Sequence, residues 1–447
     1  MDKIDKKYIT LILLHVAIGV LIFYIKPLSK LYGFAILLYG LYYVVKTQNR
    51  NNEVLFASAY IVGSEVFLRM TGGNILYEFS KYGVMLFLAF GMYYSGFSKN
   101  SIPFWVYLLL LLPGVIVATE TLNLESDLRT SIAFNISGPA CLGVAAIYTY
   151  NRKISFSQLN NLMLTLGLPI VTTVVYLILY TPDLRTILTS TGSNPATSGG
   201  FGPNQVATIL GLGVFIFFTR LILASKSKLL FAVNLILLFN ILYRGLVTFS
   251  RGGILTGFVM IFLFLVLLYT NIGSYARAKL YMLFIFVSFA LVLTWLYTSS
   301  QTGGLIDKRY ANQDAMGRTK ESKFTGREEI LASEIDAFMD SPVFGIGVAK
   351  GLEIRKEKTG EIITSHNEIS RTFAEHGTMG IIALLIVFFT PIFLYLDNKQ
   401  NIYIFCFLIF WLMTINHAAM RLAAPAFVYS LSLLKVYIDE ENPVHRQ

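Results

Sequence analysis

Apolar runs alternate with short polar breaks along almost the whole chain, and only one break is long. A helix rises 1.5 Å per residue, so crossing a ~30 Å hydrocarbon core takes about 20 apolar residues. On that measure the runs predict helices over 8–25, 31–45, 54–69, 77–97, 102–118, 131–150, 159–181, 204–222, 229–248, 253–270, 280–298, 378–396, 402–420 and 424–438. Three of these, 31–45, 54–69 and 424–438, are short for a crossing. The expected fold class is all-α: a polytopic membrane helix bundle of about 12–14 spans with one large, partly helical outer loop. The expected organisation is a transmembrane bundle of about 11 helices over 1–298, a loop over 299–377, and C-terminal spans with a tail over 378–447.

Composition agrees with the pattern. Of 447 residues 55% are hydrophobic and 14% charged, and the mean hydropathy is +0.63, values of a membrane protein and not of a soluble globule. The first run has no small-residue cleavage site and is read as a retained helix. Cys141 and Cys406 fall inside apolar runs, so a disulfide framework and a thiolate metal motif are excluded. The net charge of +10 does not point to nucleic acid, because Lys and Arg sit in short inter-helix loops, where they orient a membrane protein. The N-terminus and the loops at 46–53, 98–101, 151–158, 220–228, 271–279 and 397–401 carry fourteen basic residues, against seven in the opposing short loops. Both termini are therefore expected in the cytoplasm, and the long loop outside.

That loop, 299–377, holds eleven Lys or Arg and thirteen Asp or Glu, so an anion bound there must be held by particular side chains. Leu331, Ile335, Phe338 and Met339 recur at helical spacing after Arg327 and predict an amphipathic helix, either lying on the membrane surface or packed on its own loop. Ser365-His366-Asn367-Glu368 reads as a capping box, which would fix His366 and Asn367 in a first helical turn. The dipole there would keep His366 neutral and able to accept a proton from a hydroxyl. In Phe249-Ser250-Arg251-Gly252-Gly253 the arginine reads either as an interfacial anchor or, with its glycines, as a ligand contact. Gly202-Pro203-Asn204 starts a helix whose free amides could face an anion. Glu65 with Arg69, and His417 with Arg421, are spaced i,i+4 within spans.

In order, Gly202-Pro203-Asn204-Gln205-Val206-Ala207, Ser250-Arg251-Gly252, Thr325-Gly326-Arg327, Ser341 to Gly347 (SPVFGIG) and His366-Asn367 with Glu375, Gly377 and Gly380 resemble the O-antigen ligase and polymerase family of bacterial polysaccharide enzymes. The resemblance covers about 200–395. It implies transfer of glycan from an undecaprenyl-diphosphate-linked oligosaccharide to an acceptor glycan or lipid A core, outside a bacterial cytoplasmic (inner) membrane and without a metal or cofactor. By the resemblance, Arg251 and Arg327 bind the diphosphate, with Arg309 as a third ligand, and His366 activates the acceptor hydroxyl. Ser365, Asn367, Glu368, Glu375 and Asn204 support them. Membrane lipids and a chain-length regulator are the further implied partners. The number of spans inclines the expectation to polymerase over ligase.

Two rivals make different demands. A metal-dependent glycosyltransferase would use Glu120, Glu125 and Asp127 as oxygen ligands. A non-catalytic flippase or exporter would line its path with Glu65 and Arg69, although no matched pair of broken helices marks two halves.

Overall fold

The computed structural model describes residues 3–123, 127–320, 327–360 and 363–438, without the side chains of Lys3, Ile4, Arg327, Lys358 and Thr359. Thr325 and Gly326 of the resemblance and the candidate ligand Glu125 lie outside the described residues.

The first ten helices are α1 (Lys3–Tyr24), α2 (Leu28–Thr47), α3 (Glu53–Thr71), α4 (Phe79–Ser95), α5 (Ile102–Thr121), α6 (Leu128–Thr149), α7 (Phe156–Tyr180), α8 (Pro203–Leu223), α9 (Lys228–Val247) and α10 (Arg251–Asn271). They continue as α11 (Ser274–Gln301), the shorter α12 (Leu305–Tyr310), α13 (Arg327–Asp340) and α14 (Lys350–Thr359), then α15 (Glu368–Asp397), α16 (Ile404–His417) and α17 (Ala424–Leu431). A helix stands at each of the fourteen predicted places, which makes this an all-α polytopic bundle. Among the described residues, however, eleven helices are long and apolar enough to cross a membrane: α1–α3, α5–α11 and α15. The expected 12–14 counted α4, α16 and α17, which have 17, 14 and 8 residues. The shortening has local causes. After α16 the chain turns through Ala419, at φ 52°, and after α17 residues Lys435–Tyr437 leave the helix to pair in parallel with Lys153–Ser155.

Lipid tails offer no hydrophobic drive for helix association, so close backbone approach at small residues has to supply it. Helices α8 and α10 meet in this way: a side chain at Gly253 would collide with the Ala207 backbone, and one at Gly257 with the Gly211 carbonyl. Gly63 of α3 lies equally close to the Leu166 carbonyl of α7. Aromatic rings fill the spaces between helices, as where Tyr403 stacks on Phe264 with centroids 5.5 Å apart. On α11, Phe284, Ile285, Phe289 and Leu293 remain exposed, as side chains facing lipid would.

The intramembrane charges neutralise one another. Arg69 pairs with Glu65 at 3.0 Å and Glu78 at 3.4 Å, and Lys81 pairs with Glu78 at 2.8 Å. The second oxygen of Glu65 accepts the Ala423 amide at 2.7 Å, so the network also fixes the start of α17. Glu65 is fully buried.

Candidate active site

The ends of several helices converge with the polar interval. Arg244 of α9 donates to the Thr181 carbonyl, Arg185 to that of Ser300, and Thr191 to that of Gln313, which ties the 181–201 connection to α9, α11 and the α12 region. The turn between α9 and α10 is strained. Phe249 adopts φ 57°, a left-handed conformation unusual for a bulky residue, and is held there by burial of its ring with Leu184, Leu188, Val247 and Ile306. Arg309 of α12 donates from Nε to the Phe249 carbonyl at 3.0 Å. α12 is itself anchored by Ile306 in the same cluster and by Asp307, which accepts from Trp295 Nε1 at 2.8 Å and from the Ser299 hydroxyl.

Arg251 follows as the first residue of α10 and is half-buried. Burial raises the Tyr310 phenol above its usual range, while the cations of Arg251 and Arg309 both oppose the shift. Two of the three arginines named from sequence therefore stand at the Phe249 turn, Arg309 by its bond to the Phe249 carbonyl and Arg251 two residues further along the chain. The backbone of the third, Arg327, begins α13 as expected, and its side chain lies outside the described atoms.

The neighbouring motifs do different work from that expected. Pro203 is the first residue of α8, as predicted, but the Asn204 side chain accepts the Ser250 hydroxyl at 2.8 Å and so joins the starts of α8 and α10. The glycines after Arg251 admit protein and not a ligand: a Cβ at Gly252 would lie 2.6 Å from the His417 ring, and Gly253 abuts α8. His417 contacts Thr208 Oγ1 at 3.2 Å and the Met413 carbonyl at 2.8 Å. Arg421 does not continue the same helix as His417, since α16 ends at His417.

The capping-box expectation is corrected. Helix α15 begins at Glu368, and its cap is Asn367, whose Oδ1 accepts the Ile369 amide at 2.9 Å. Ser365 Oγ accepts the Asn367 amide at 3.2 Å, one position short of a box, so His366 precedes the helix and does not lie in its first turn. Glu368 does not reach back to Ser365. It pairs with Arg371, and its other oxygen accepts the Met420 amide at 3.2 Å. The 364–368 segment is clamped throughout by the 419–421 turn: Ala419 donates to the His366 carbonyl at 3.2 Å, and Arg421 donates to Thr364 Oγ1 and the Ser365 carbonyl at 2.8 and 2.9 Å. Half-buried His366 is thereby tied, through the turn that follows His417, to the start of α10 and Arg251.

The last motifs lock α15. Gly377 breaks the helix at φ 59°, ψ −143°, a conformation reserved for glycine, and a Cβ there would lie 2.7 Å from Gly345 N and the Pro342 carbonyl. The break frees carbonyls, and the 342–347 segment takes them: Ile346 donates to Ala374 and Gly347 to Glu375, while Thr378 donates to Pro342. Glu375 is buried, accepting the Ala349 amide at 3.0 Å and Arg371 at 3.0 Å. It is thus a brace.

A cavity of about 340 Å³ opens beside this brace, lined among others by Asn135, Arg355, Ser365, Arg371 and Arg421. Arg355, which burial pushes down from the usual range and Glu334 partly restores, and Arg371 were missed in the sequence. The i, i+3 and i, i+4 spacing of Glu368, Arg371 and Glu375 was the signal for the second. Arg355 carried none, because its partner Glu334 is 21 residues away on another helix. Asp127, a candidate metal ligand, caps α6 instead: bonds from the Thr130 hydroxyl and amide hold its carboxyl below the usual range. Among the described residues no group of three or more His, Cys, Asp or Glu could hold a metal ion.

A many-helix membrane protein with paired arginines and a histidine at one convergence of helix ends is the class of molecule defined here. Residues 233–385 match the family model described as O-antigen ligase, and over that stretch the chain is similar to this family. The match runs from α9 into α15 and includes Arg251, Arg309, Arg327, His366 and Glu375. No curated protein matches the chain.

Proposed function

We propose that this protein is a membrane glycosyltransferase that moves glycan from an undecaprenyl-diphosphate carrier to the hydroxyl of an acceptor sugar, outside the cytoplasmic membrane of a bacterium. The observation that carries the reading is the juxtaposition of Arg251 and Arg309 at the strained Phe249 turn, with His366 clamped nearby by the 419–421 turn. Guanidinium groups present fixed forks of donors to phosphate oxygens and keep their charge. In the proposed step, the acceptor oxygen attacks the anomeric carbon, its proton passes to the His366 imidazole, and the bond from the anomeric carbon to the diphosphate oxygen breaks. Negative charge grows on the departing lipid diphosphate, where preplaced Arg251, Arg309 and Arg327 stabilise the transition state more than the ground state. Attack opposite the leaving group inverts the anomeric centre.

The same chemistry serves two acceptors. A second lipid-linked repeat makes the protein a polymerase, and a lipid A core makes it a ligase. With eleven long helices in place of fourteen, the span count no longer favours the polymerase. The domain organisation follows the chemistry: the 299–377 interval and the helix starts beside it form the catalytic unit, and the remaining helices its membrane scaffold.

The test is transfer from a purified lipid-linked glycan by reconstituted wild type and His366→Ala at equal folded amounts. Loss of transfer with unchanged melting temperature is expected. Full transfer by His366→Ala would remove His366 as the base, and absence of transfer by wild type would reopen a carrier function.

A further inference from the structure

The cavity beside α15 shares no lining residue with the Arg251 and Arg309 cluster, yet it reaches Thr364 and Ser365, immediately before His366. Its walls mix hydroxyls from Thr130 and Ser131, the Asn135 amide, and the Tyr77 and Phe134 rings, whose centroids are 5.8 Å apart. At about 340 Å³ it suits one or two sugar rings, which need flat apolar faces and many hydrogen-bonding edges.

The charges here are not equally available. Every carboxylate oxygen of Glu334, Glu368 and Glu375 already accepts from protein. Glu334 takes Arg355 and Ser370, Glu368 takes Arg371 and the Met420 amide, and Glu375 takes Arg371 and the Ala349 amide. Arg355 and Arg371 are consumed in the same pairs. Arg421 differs. Its hydrogen bonds go to two neutral oxygens, both from Nη2, and among the described residues no carboxylate pairs with it. Burial lowers its pKa, the nearby Arg371 cation pushes the same way, and Glu368 and Tyr77 oppose the shift. Its backbone is pinned by Arg69, which donates to the Arg421 carbonyl at 3.4 Å, and by the Glu65 bond to Ala423.

We propose that this cavity is the acceptor-sugar site and that Arg421 makes it selective for a sugar bearing an anionic group, carboxylate or phosphate. The assignment of the cavity to an acceptor rests on the glycosyltransferase reading; the anion selectivity does not. The acceptor enters beside Thr364 and Ser365, its anionic group meets the free edge of the Arg421 guanidinium, and a hydroxyl is left facing His366.

The test is competition binding to the purified full-length protein in nanodiscs, with glucose, glucuronate and glucose 6-phosphate as probes, read by saturation-transfer NMR. Wild type should bind at least one anionic sugar at least ~10-fold more tightly than glucose, a ratio worth about 1.4 kcal/mol. The carboxylate and phosphate probes tell the two sources of charge apart. Arg421→Gln should abolish the preference and Arg421→Lys retain part of it, while Arg251→Gln leaves it intact. Equal binding of all three sugars by wild type would overturn the proposal without recourse to any variant. A preference lost in Arg251→Gln but kept in Arg421→Gln would do so too, by placing the anion at the diphosphate cluster. Absence of transfer by reconstituted wild type would refute the glycosyltransferase reading while leaving the anion selectivity of the cavity standing.

Discussion

Arg251 and Arg309 share a neighbourhood but not a workload, and substitution should separate them. Among the described residues the Arg251 side chain makes no hydrogen bond or ion pair that holds a structural element, so Arg251→Gln is expected to slow transfer by about 10²–10³-fold, the usual loss on removing one preorganised charge donor, with the melting temperature unchanged. Arg309 also secures the carbonyl of left-handed Phe249, so Arg309→Gln should slow transfer and destabilise by about 1.5–3 kcal/mol, read as a lower melting temperature. Equal melting temperatures for the two variants would assign Arg309 to the ligand alone. Gly377 offers a purely conformational test: Gly377→Ala places a Cβ 2.7 Å from two backbone atoms at a positive φ and should cost about 1–3 kcal/mol or more. The motif glycines 345, 347 and 377 were visible in the sequence as a pattern, but their purpose was not. The carbonyls they free and satisfy belong to a helix break that no local periodicity announces.

At the level of the element, α15 depends on ion pairs concentrated in its first two turns. Glu368 is 1% exposed and serves both Arg371 and the Met420 amide, so Glu368→Gln leaves a buried guanidinium half-paired and should cost about 3–5 kcal/mol in a thermal or denaturant titration. Helix α13 is a contrasting case. It packs on α15 through Glu334, 2% exposed and bonded to Arg355 and Ser370, and through Phe338 of the expected stripe, whose ring lies 6.3 Å from that of Phe373, and leaves Leu331, Ile335 and Met339 exposed as an apolar stripe. The helix and its apolar spacing were legible from residues 327–339, and the stripe is where a membrane surface would seat it. Ile335→Asp should therefore reduce transfer in liposomes more than in detergent, since it unseats the element that carries Arg327 without touching its packed face; equal losses in both media would deny α13 a lipid contact. The capping box was misread for a physical reason. Ser365, Asn367 and Glu368 all have capping chemistry, and the choice among them was made by the 419–421 turn, over fifty residues away.

Over the whole molecule, hydropathy placed the fourteen apolar helices, though neither α12 nor α14, because the bilayer imposes one length and one polarity on anything that crosses it. It overcounted crossings where tertiary contacts cut helices short, at Ala419 and at the Lys435–Tyr437 strand. The charges inside the bundle divide along the same line. Glu65, Arg69, Glu78 and Lys81 form a closed, neutral set that fixes the start of α17, whereas Arg251 at the convergence of helix ends pairs with no carboxylate among the described residues. A carrier would need the first set and an enzyme the second, and the glycan made by the native host distinguishes them. With His366→Ala expressed at the wild-type level, the size profile of lipid-linked and surface glycan should change while the protein stays folded. Loss of long chains with single repeats persisting means that His366 served polymerisation. Long carrier-linked chains accumulating without surface attachment mean that it served ligation. The guanidinium groups carry the charge stabilisation in this mechanism, so transfer by wild type should survive excess EDTA; its loss on chelation would require a divalent cation at the diphosphate. An unchanged profile, combined with loss of export on Glu65→Gln, would move the function from the helix ends to the bundle interior.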